Sequence, residues 1–302
     1  MSVRKLASIL ATAGVLVSLS ACAASPSAFA DCGPSGNAAL VTAEGSFGAD
    51  PAAEFPTPLV STKPETAQVR PGDGEQVARG SVIDGTVSIY FGDTGEAVGS
   101  GSGPITGTRI LAGTSDFIYP FTEAMTCAEV GARVVTTGTA ADLFGAEALG
   151  LDPEMTLVVV TDISAVYLGK AEGSVQVAQA GMPAIVLAPN GQPGFTFPDS
   201  AQPDEFRTDL LIRGSGAAVE DGDSVVLNYT TIAWDGQAVS DSSWSGGFAS
   251  PVILALDGTD TPPFTLEVKE AIIGQSVGSQ LLISVPGESG LVYVIDVLGI
   301  AE

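Results

Sequence analysis

The chain has 302 residues, a formal net charge of −24 and no histidine. So acidic a surface repels phosphate backbones, which excludes nucleic acid as a partner. Without histidine, Ser-His-Asp and Cys-His catalysis and histidine-ligated metals are excluded as well, and we expect neither a metal nor another cofactor. Among 35 acidic residues, a chance pair of carboxylates is commoner than a glycosidase dyad. The classes that remain are an enzyme whose reaction needs no titrating group and a protein without catalytic activity.

The first residues predict export. Arg4 and Lys5 precede an apolar stretch at 6–19, and small residues follow it, which is the secretory pattern. The stretch is too short and too weakly apolar for a transmembrane helix. Residues 19–22 read Leu-Ser-Ala-Cys and resemble a lipobox. This resemblance implies that 1–21 are removed and that a lipid on Cys22 anchors the chain outside the cytoplasm. The alternative is an ordinary signal peptide cut after Ala30.

Two more cysteines, Cys32 and Cys127, remain once Cys22 carries a lipid. In an exported chain such a pair predicts one disulfide, and two thiols are too few for a zinc site. A reduced pair is the alternative. Residues 22–36 are rich in alanine, serine and glycine, so we expect a lipidated, flexible tether there.

The rest of the chain indicates an internal duplication. Three pairs of segments recur in the same order, which chance rarely produces. The pairs are 69–74 with 211–216, 123–131 with 270–278, and 157–163 with 291–297. We therefore predict two domains, at 37–166 and 181–302, joined by residues 167–180. In this register Ser88 of the first half stands where the second half has Tyr229.

The second half predicts mostly strands and one helix. Residues 225–234 are rich in β-branched and aromatic side chains, and 291–298 form an almost unbroken apolar run, as in a central strand buried on both faces. A short helix is predicted over 265–273, closed by Gly274. One helix against a small antiparallel sheet predicts the α+β class.

The second half also resembles the FKBP type of peptidyl-prolyl cis-trans isomerase. The segments that carry the likeness, in the family's order and spacing, are 214–216, 219–225, 228–230, 235–243, 271–279 and the last strand through Ile300. The resemblance implies two tandem FKBP-like domains, the first divergent, each a curved antiparallel β-sheet around one short helix. A lipobox followed by two such domains is similar to the FKBP-type lipoproteins of high-GC, actinobacterial-type bacteria.

The resemblance also implies a site. Tyr229 matches the tyrosine that lines the family's proline pocket, Asp241 matches the aspartate across from it, and Tyr293 matches an aromatic wall on the last strand; these are the catalytic positions. The expected substrate-binding positions are Val252 and Val268, which the family register supplies, and the neighbouring aromatics Trp244 and Phe264, which a catalytic pocket would need to converge there. The alternative for Tyr229 and Tyr293 is an ordinary place in the core.

Four changes weaken this expected pocket. Ser240 stands where the family has a phenylalanine, and Val252 replaces an aromatic wall. Residues 264–268 replace the segment whose tryptophan forms the pocket floor, and the loop before the last strand is shortened to 286–290. Because aromatic side chains supply most of the apolar contact in such a pocket, we expect weak activity.

Three functions compete on this basis. The first is a prolyl isomerase, or a folding factor derived from one, that acts on proline-containing segments of exported proteins. The second is a non-catalytic protein-binding surface lipoprotein that keeps the fold. The third, a lipoprotein that binds small molecules, lacks a charged or aromatic cage in the sequence.

Overall fold

The computed structural model describes residues 35–100, 103–112, 119–126, 128–145, 150–177, 179–244, 249–287 and 290–301. The helices in these ranges are a 3-10 helix at Gly36–Leu40, α1 at Tyr119–Glu123, α2 at Ala140–Phe144 and α3 at Leu266–Ile272. The strands up to residue 167 are β1 Thr42–Glu44, β2 Ala52–Glu54, β3 Glu65–Arg70, β4 Val82–Phe91, β5 Gly99–Ser100, β6 Gly103–Pro104, β7 Thr108–Ala112, β8 Arg133–Thr139 and β9 Thr156–Tyr167. The later strands are β10 Ser174–Val175, β11 Ala184–Leu187, β12 Pro193–Thr196, β13 Arg207–Arg213, β14 Ser224–Ala233, β15 Val239–Ser242, β16 Val252–Ala255, β17 Gln280–Val285 and β18 Leu291–Ala301.

The predicted fold class, α+β with two FKBP-like domains each built around one short helix, is wrong. The described residues are mostly strand, arranged in a seven-stranded sheet, a five-stranded sheet and three two-stranded sheets. The three described α-helices have only five, five and seven residues. Two of these helices, α1 and α2, lie in the first half with the five-stranded sheet, where one helix was expected. The predicted class rests on one clear helix in the sequence. Short strands in turns and linkers have too little periodicity to be recognised, so the strand content was underestimated.

The two large sheets share the order of four antiparallel strands. The five-stranded sheet runs β3-β8-β9-β4-β7, and the other runs β10-β13-β17-β18-β14-β15, with β16 also paired to β14. Register shifts occur at the same places in both, in β3 and β13 and again in β4 and β14. Such bulges change strand twist and are rarely placed alike by accident.

Close backbone contacts explain why glycines recur in the repeated segments. A Cβ atom built on Gly72 would lie 2.5 Å from the carbonyl oxygen of Val130, and one built on Gly214 would lie 2.2 Å from that of Val277. No side chain fits at either position. The same turn then bonds to the central strand in both halves, since Gly131 N donates to Ile163 O and Gly278 N to Val297 O, each at 2.8 Å.

The expected equivalence of Ser88 and Tyr229 is wrong by one residue. Tyr229 lies opposite Ile295, whereas Ser88 lies opposite Val160 and Val87 lies opposite Thr161, the repeat equivalent of Ile295. Val87 therefore occupies the position of Tyr229. A slip of one residue moves a side chain to the other face of a sheet, so the correction changes which residue faces the core.

Each large sheet packs on its own apolar cluster, and a third cluster joins the halves. Phe121, Met125 and Leu143 lie in the first cluster, and Tyr229, Phe264 and Tyr293 lie in the second. The third contains Val82, Tyr167, Val226 and Leu298. The segment between the halves adds β10, which pairs with β13 at the edge of the seven-stranded sheet. None of the helices in the described ranges is long and apolar enough to cross a membrane.

Candidate functional site

Strand β14 presents Tyr229 to the core of the second half. The strand pairs with β18 along its whole length and with β15 and β16 on its other side, so its backbone is held from both directions. Tyr229 N donates to Ser243 Oγ at 2.9 Å, which ties the strand to the end of β15. The tyrosine side chain is almost completely buried.

The Tyr229 hydroxyl and Asp241 form a hydrogen bond at the edge of this core. Tyr229 Oη donates to Asp241 Oδ2 at 2.9 Å, and Ser242 N donates to Asp241 Oδ1 at 2.8 Å. Asp241 is exposed. Burial, and then the hydrogen bond and charge of Asp241, raise the pKa of Tyr229 to about 12. The phenol therefore stays neutral and acts as a donor, not as a base.

Phe264 lies between the two tyrosines. Its ring centroid is 4.8 Å from that of Tyr229 in an edge-to-face arrangement, and 6.4 Å from that of Tyr293. Tyr293 is fully buried on β18, and its hydroxyl donates to Pro263 O at 2.8 Å. Burial raises the pKa of Tyr293 above the ordinary value of a tyrosine. The three rings form one apolar wall, whose polar atoms are all hydrogen-bonded.

A buried lysine that the sequence did not reveal holds the turn that carries Phe264. Lys269 on α3 donates from Nζ to Asp257 Oδ1 at 3.0 Å and to Thr261 Oγ1 at 2.9 Å. Thr261 and Phe264 then exchange backbone hydrogen bonds. The contact with Lys269 lowers the pKa of Asp257 to about 2, helped by hydrogen bonds from Thr259. The only signal in the sequence was a lysine directly after Val268 on the buried side of the predicted helix.

The other expected binding positions divide into two groups. Val268 on α3 is fully buried, and Val252 on β16 packs partly buried against the same cluster as Tyr229, Phe264 and Tyr293. Trp244 is buried but makes no ring contact with another described aromatic residue. Its Cη2 atom lies 3.5 Å from where a Cβ on Gly191 would be, at the β11–β12 hairpin. The structure thus joins Val252, Phe264 and Val268 to the two tyrosines and leaves Trp244 apart.

The cysteines lie outside the described residues. Cys22 and Cys32 precede residue 35, and Cys127 falls between α1 and β8 in a gap of the described ranges. The lipid on Cys22 and the disulfide between Cys32 and Cys127 therefore stay predictions.

The arrangement can hold an apolar group without acid–base chemistry. Its accessible part is the edge of Tyr229 with the exposed carboxylate of Asp241, while Phe264 and Tyr293 form the buried backing. A neutral aromatic wall beside a fixed carboxylate can favour one shape of a bound chain by contact alone.

Solved structures of FKBP-type proteins are among those that the chain is similar to. They include the three FKBP domains of wheat FKBP73, at 12% identity and a TM-score of 0.31, covering 79% of this chain and 94% of that one. The N-terminal domain of FKBP42 from Arabidopsis thaliana has 16% identity and a TM-score of 0.28, covering 36% of this chain and 100% of that one. FkpA from Escherichia coli has 19% identity and a TM-score of 0.30, covering 36% and 52%.

No protein-family model and no curated protein sequence matches the chain.

Proposed function

We propose that the second half, 181–302, binds proline-containing segments of exported proteins and acts as a weak FKBP-type peptidyl-prolyl cis-trans isomerase, or as a folding factor derived from one. The observation that supports this most is the hydrogen bond between Tyr229 and Asp241 beside the ring of Phe264. Two residues brought together from different strands make a neutral aromatic wall with one polar anchor.

The proposed reaction needs only shape and contact. Rotation about an X–Pro bond has a barrier of roughly 20 kcal/mol, because the planar amide loses its resonance on the way. An apolar surface that packs on the proline ring can favour the twisted amide over the planar one. In this proposal Tyr229 and Phe264 contact the ring, and Asp241 keeps the Tyr229 hydroxyl in place.

The same residues support low activity. Ser240 donates from Oγ to Thr231 O at 3.1 Å and adds no aromatic wall, and Val252 and Val268 are aliphatic. If each missing aromatic contact withdraws about 1 kcal/mol of transition-state stabilisation, three losses lower the rate about a hundredfold.

A second candidate, a non-catalytic protein-binding module, is favoured by the burial of the wall. Tyr293 is 0% exposed and Phe264 is 4% exposed. A ring that already fills the space between two tyrosines leaves less room for a proline to enter. Under this alternative, the edge of Tyr229 and Asp241 binds proline-containing segments without turning them over.

We also propose the cellular setting as an extension of the same hypothesis. The lipid on Cys22 would anchor the chain to the outer face of the cell membrane, where exported clients fold. Replacing Cys22 by serine should release the protein or leave it unprocessed, as seen by membrane fractionation, and normal retention of the variant would contradict the anchor.

A protease-coupled isomerisation assay on the full-length protein tests the activity. Tyr229→Phe and Asp241→Ala should each lower the catalysed rate about fivefold, as expected when a solvent-exposed hydrogen bond of about 1 kcal/mol is lost. Glu205→Ala, which removes an exposed acid elsewhere on the same half, is the matched control and should leave the rate unchanged.

Each outcome of the assay decides between the candidates. Peptide binding that the two variants weaken, without any turnover, would favour the non-catalytic module. A wild-type rate equal to that of an isomerase with a full aromatic pocket would contradict our interpretation of the missing walls. If neither variant changes turnover or binding, the site lies elsewhere.

A further inference from the structure

A second concave site lies where the two halves meet, away from Tyr229 and Asp241. It is a cleft of about 820 Å³, within the range of small-ligand sites. Apolar side chains from the ends of β9 and β18 line it, namely Val166, Leu168, Leu298 and Ile300. Glycines such as Gly169, Gly216 and Gly299 also line it and contribute only backbone to its wall.

One cation in this cleft lacks an acidic partner. Lys170 is half-buried, and its ammonium group donates to Pro189 O at 2.9 Å. Within the described residues no carboxylate lies within ion-pair distance of Lys170, although acids outnumber bases by 35 to 11 in the chain. Six other described cations, including Arg79 at the same cleft, do have such a partner. An ammonium bound only to a carbonyl keeps further N–H groups free and can still donate a charge-assisted hydrogen bond to an anion.

The remaining charges on the cleft limit what that anion can be. Glu75 and Glu172 line it together with Arg79 and Lys170. Arg79 is already paired with Glu123. A ligand with two or more negative charges would be repelled by the two glutamates and by the acidic surface as a whole, whereas a single carboxylate can be neutralised by Lys170.

We propose that this cleft binds a monoanionic ligand with an apolar body and one carboxylate. The carboxylate lies against Lys170, and the apolar part lies on Val166, Leu168 and Ile300. Aliphatic acids and the C-termini of apolar peptides share this chemistry. The cleft is separate from the proposed isomerase site, and its occupation does not require that site to be active.

Calorimetric titration of the full-length protein with decanoate, and with an apolar tripeptide that has a free C-terminus, tests the proposal. The matched probes are decanamide and the amidated tripeptide, which keep the apolar body and lose the charge. At least one carboxylate should bind, and its amide should bind about tenfold more weakly, because a hydrogen bond to a charged group is lost. Tight decanoate binding points to an aliphatic acid, and tight tripeptide binding points to a peptide C-terminus; either result supports the proposal.

Substitutions of Lys170 test whether its ammonium group binds the carboxylate of the ligand. Lys170→Gln should weaken carboxylate binding about tenfold and leave amide binding unchanged, while Lys170→Arg should retain most of it. Lys63→Gln removes an exposed lysine before β3 and is the control. The proposal is overturned if neither carboxylate binds at millimolar concentration, if the amides bind as tightly as the acids, or if Lys170→Gln and Lys63→Gln behave alike. Turnover of proline peptides is measured separately, so this result does not depend on the isomerase proposal.

Discussion

The two halves bury a carboxylate at the same place and stabilise it differently. Asp162 on β9 and Asp296 on β18 occupy equivalent positions, and each faces one residue across the ladder. For Asp162 that residue is Arg133, which forms two hydrogen bonds to it at 2.6 and 2.8 Å. For Asp296 it is Gln280, which donates from Nε2 at 2.7 Å. The first half thus pairs the charge with a cation, and the second pairs it with a neutral amide.

Both carboxylates hold the chain segment that precedes their own sheet. Asp162 accepts from Gly48 N at 2.7 Å, and Arg133 donates to carbonyl oxygens of residues 43–46. Asp296 accepts from Ala171 N at 3.4 Å. The position is therefore structural in both halves, because an acceptor is needed where the incoming chain crosses the sheet.

The different partners change the electrostatic environment of the buried carboxylate. Burial raises the pKa of Asp296 to about 6, and the hydrogen bonds from Gln280 and Ala171 offset this only in part. The hydrogen bond and charge of Asp162 raise the pKa of Arg133, so the guanidinium keeps its charge. A neutral partner leaves most of the desolvation of a carboxylate uncompensated, whereas a cation compensates it.

Removing the cation should give the largest effect. Arg133 and Asp162 have side chains only 3% and 1% exposed, so Arg133→Ala leaves a buried carboxylate without a countercharge. We expect a loss of about 3–5 kcal/mol in the free energy of unfolding, measured with denaturant. Lys63→Ala, which breaks the exposed pair with Glu65, should cost less than about 1 kcal/mol. Equal losses in the two variants would show that the buried pair has no special role.

The second half should show a pH dependence that the first half lacks. The pKa of Asp296 is raised from 3.8 to about 6 on folding, so the folded state binds the proton more tightly. Its contribution is favourable below pH 3.8 and is lost as the pH rises through about 6, by about 3 kcal/mol in all. Asp296→Asn should remove this loss and leave unchanged the pH dependence of stability that comes from the other acidic residues. Parallel curves of unfolding free energy against pH for the two proteins would contradict the raised pKa.

Replacing Gln280 by arginine should give Asp296 the kind of partner that Asp162 has in the first half. In Gln280→Arg a cation faces Asp296, as Arg133 faces Asp162, and the pKa of Asp296 should fall. Most of the loss of stability between pH 4 and 6 that is due to Asp296 should then disappear. Gln280→Leu, which removes the hydrogen bond and adds no charge, should enlarge that loss. A wild-type pH dependence in both variants would show that the partner does not set the pKa.

The main strands of the second half could be predicted from the sequence. The runs at 225–234 and 291–298 became β14 and β18, and the helix expected at 265–273 lies at Leu266–Ile272. Their signals are local, since β-branched runs and a closing glycine act within one element. The strands β10, β11 and β12 were missed, because two to four residues carry no periodicity.

Contacts between elements were harder to predict. The resemblance named Tyr229, Asp241 and Tyr293 as site residues but gave no distances between them. In the structure Tyr229 is hydrogen-bonded to Asp241, and Phe264 lies between Tyr229 and Tyr293. The mistaken pairing of Ser88 with Tyr229 comes from a register difference of one residue that only the strand pairing reveals. Asp296 was overlooked because its burial depends on Gln280 and Ala171, which are distant in sequence.

The smallest expected effect concerns Tyr229, whose counterpart in the first half is the apolar Val87. Tyr229→Phe keeps the ring against Phe264 and removes the hydrogen bond to Asp241. Because Asp241 is exposed and water can replace the hydroxyl, we expect a loss of about 1 kcal/mol in unfolding free energy. The variant should also lose the tyrosine that ionises near pH 12 in an ultraviolet titration. Val87→Ala, which shortens the counterpart, should change stability and leave that titration unchanged. If Tyr229→Phe costs nothing and the tyrosine lost from the titration is one that ionises near pH 10, the bond to Asp241 does not form in solution, and the second half is no more specialised at this position than the first.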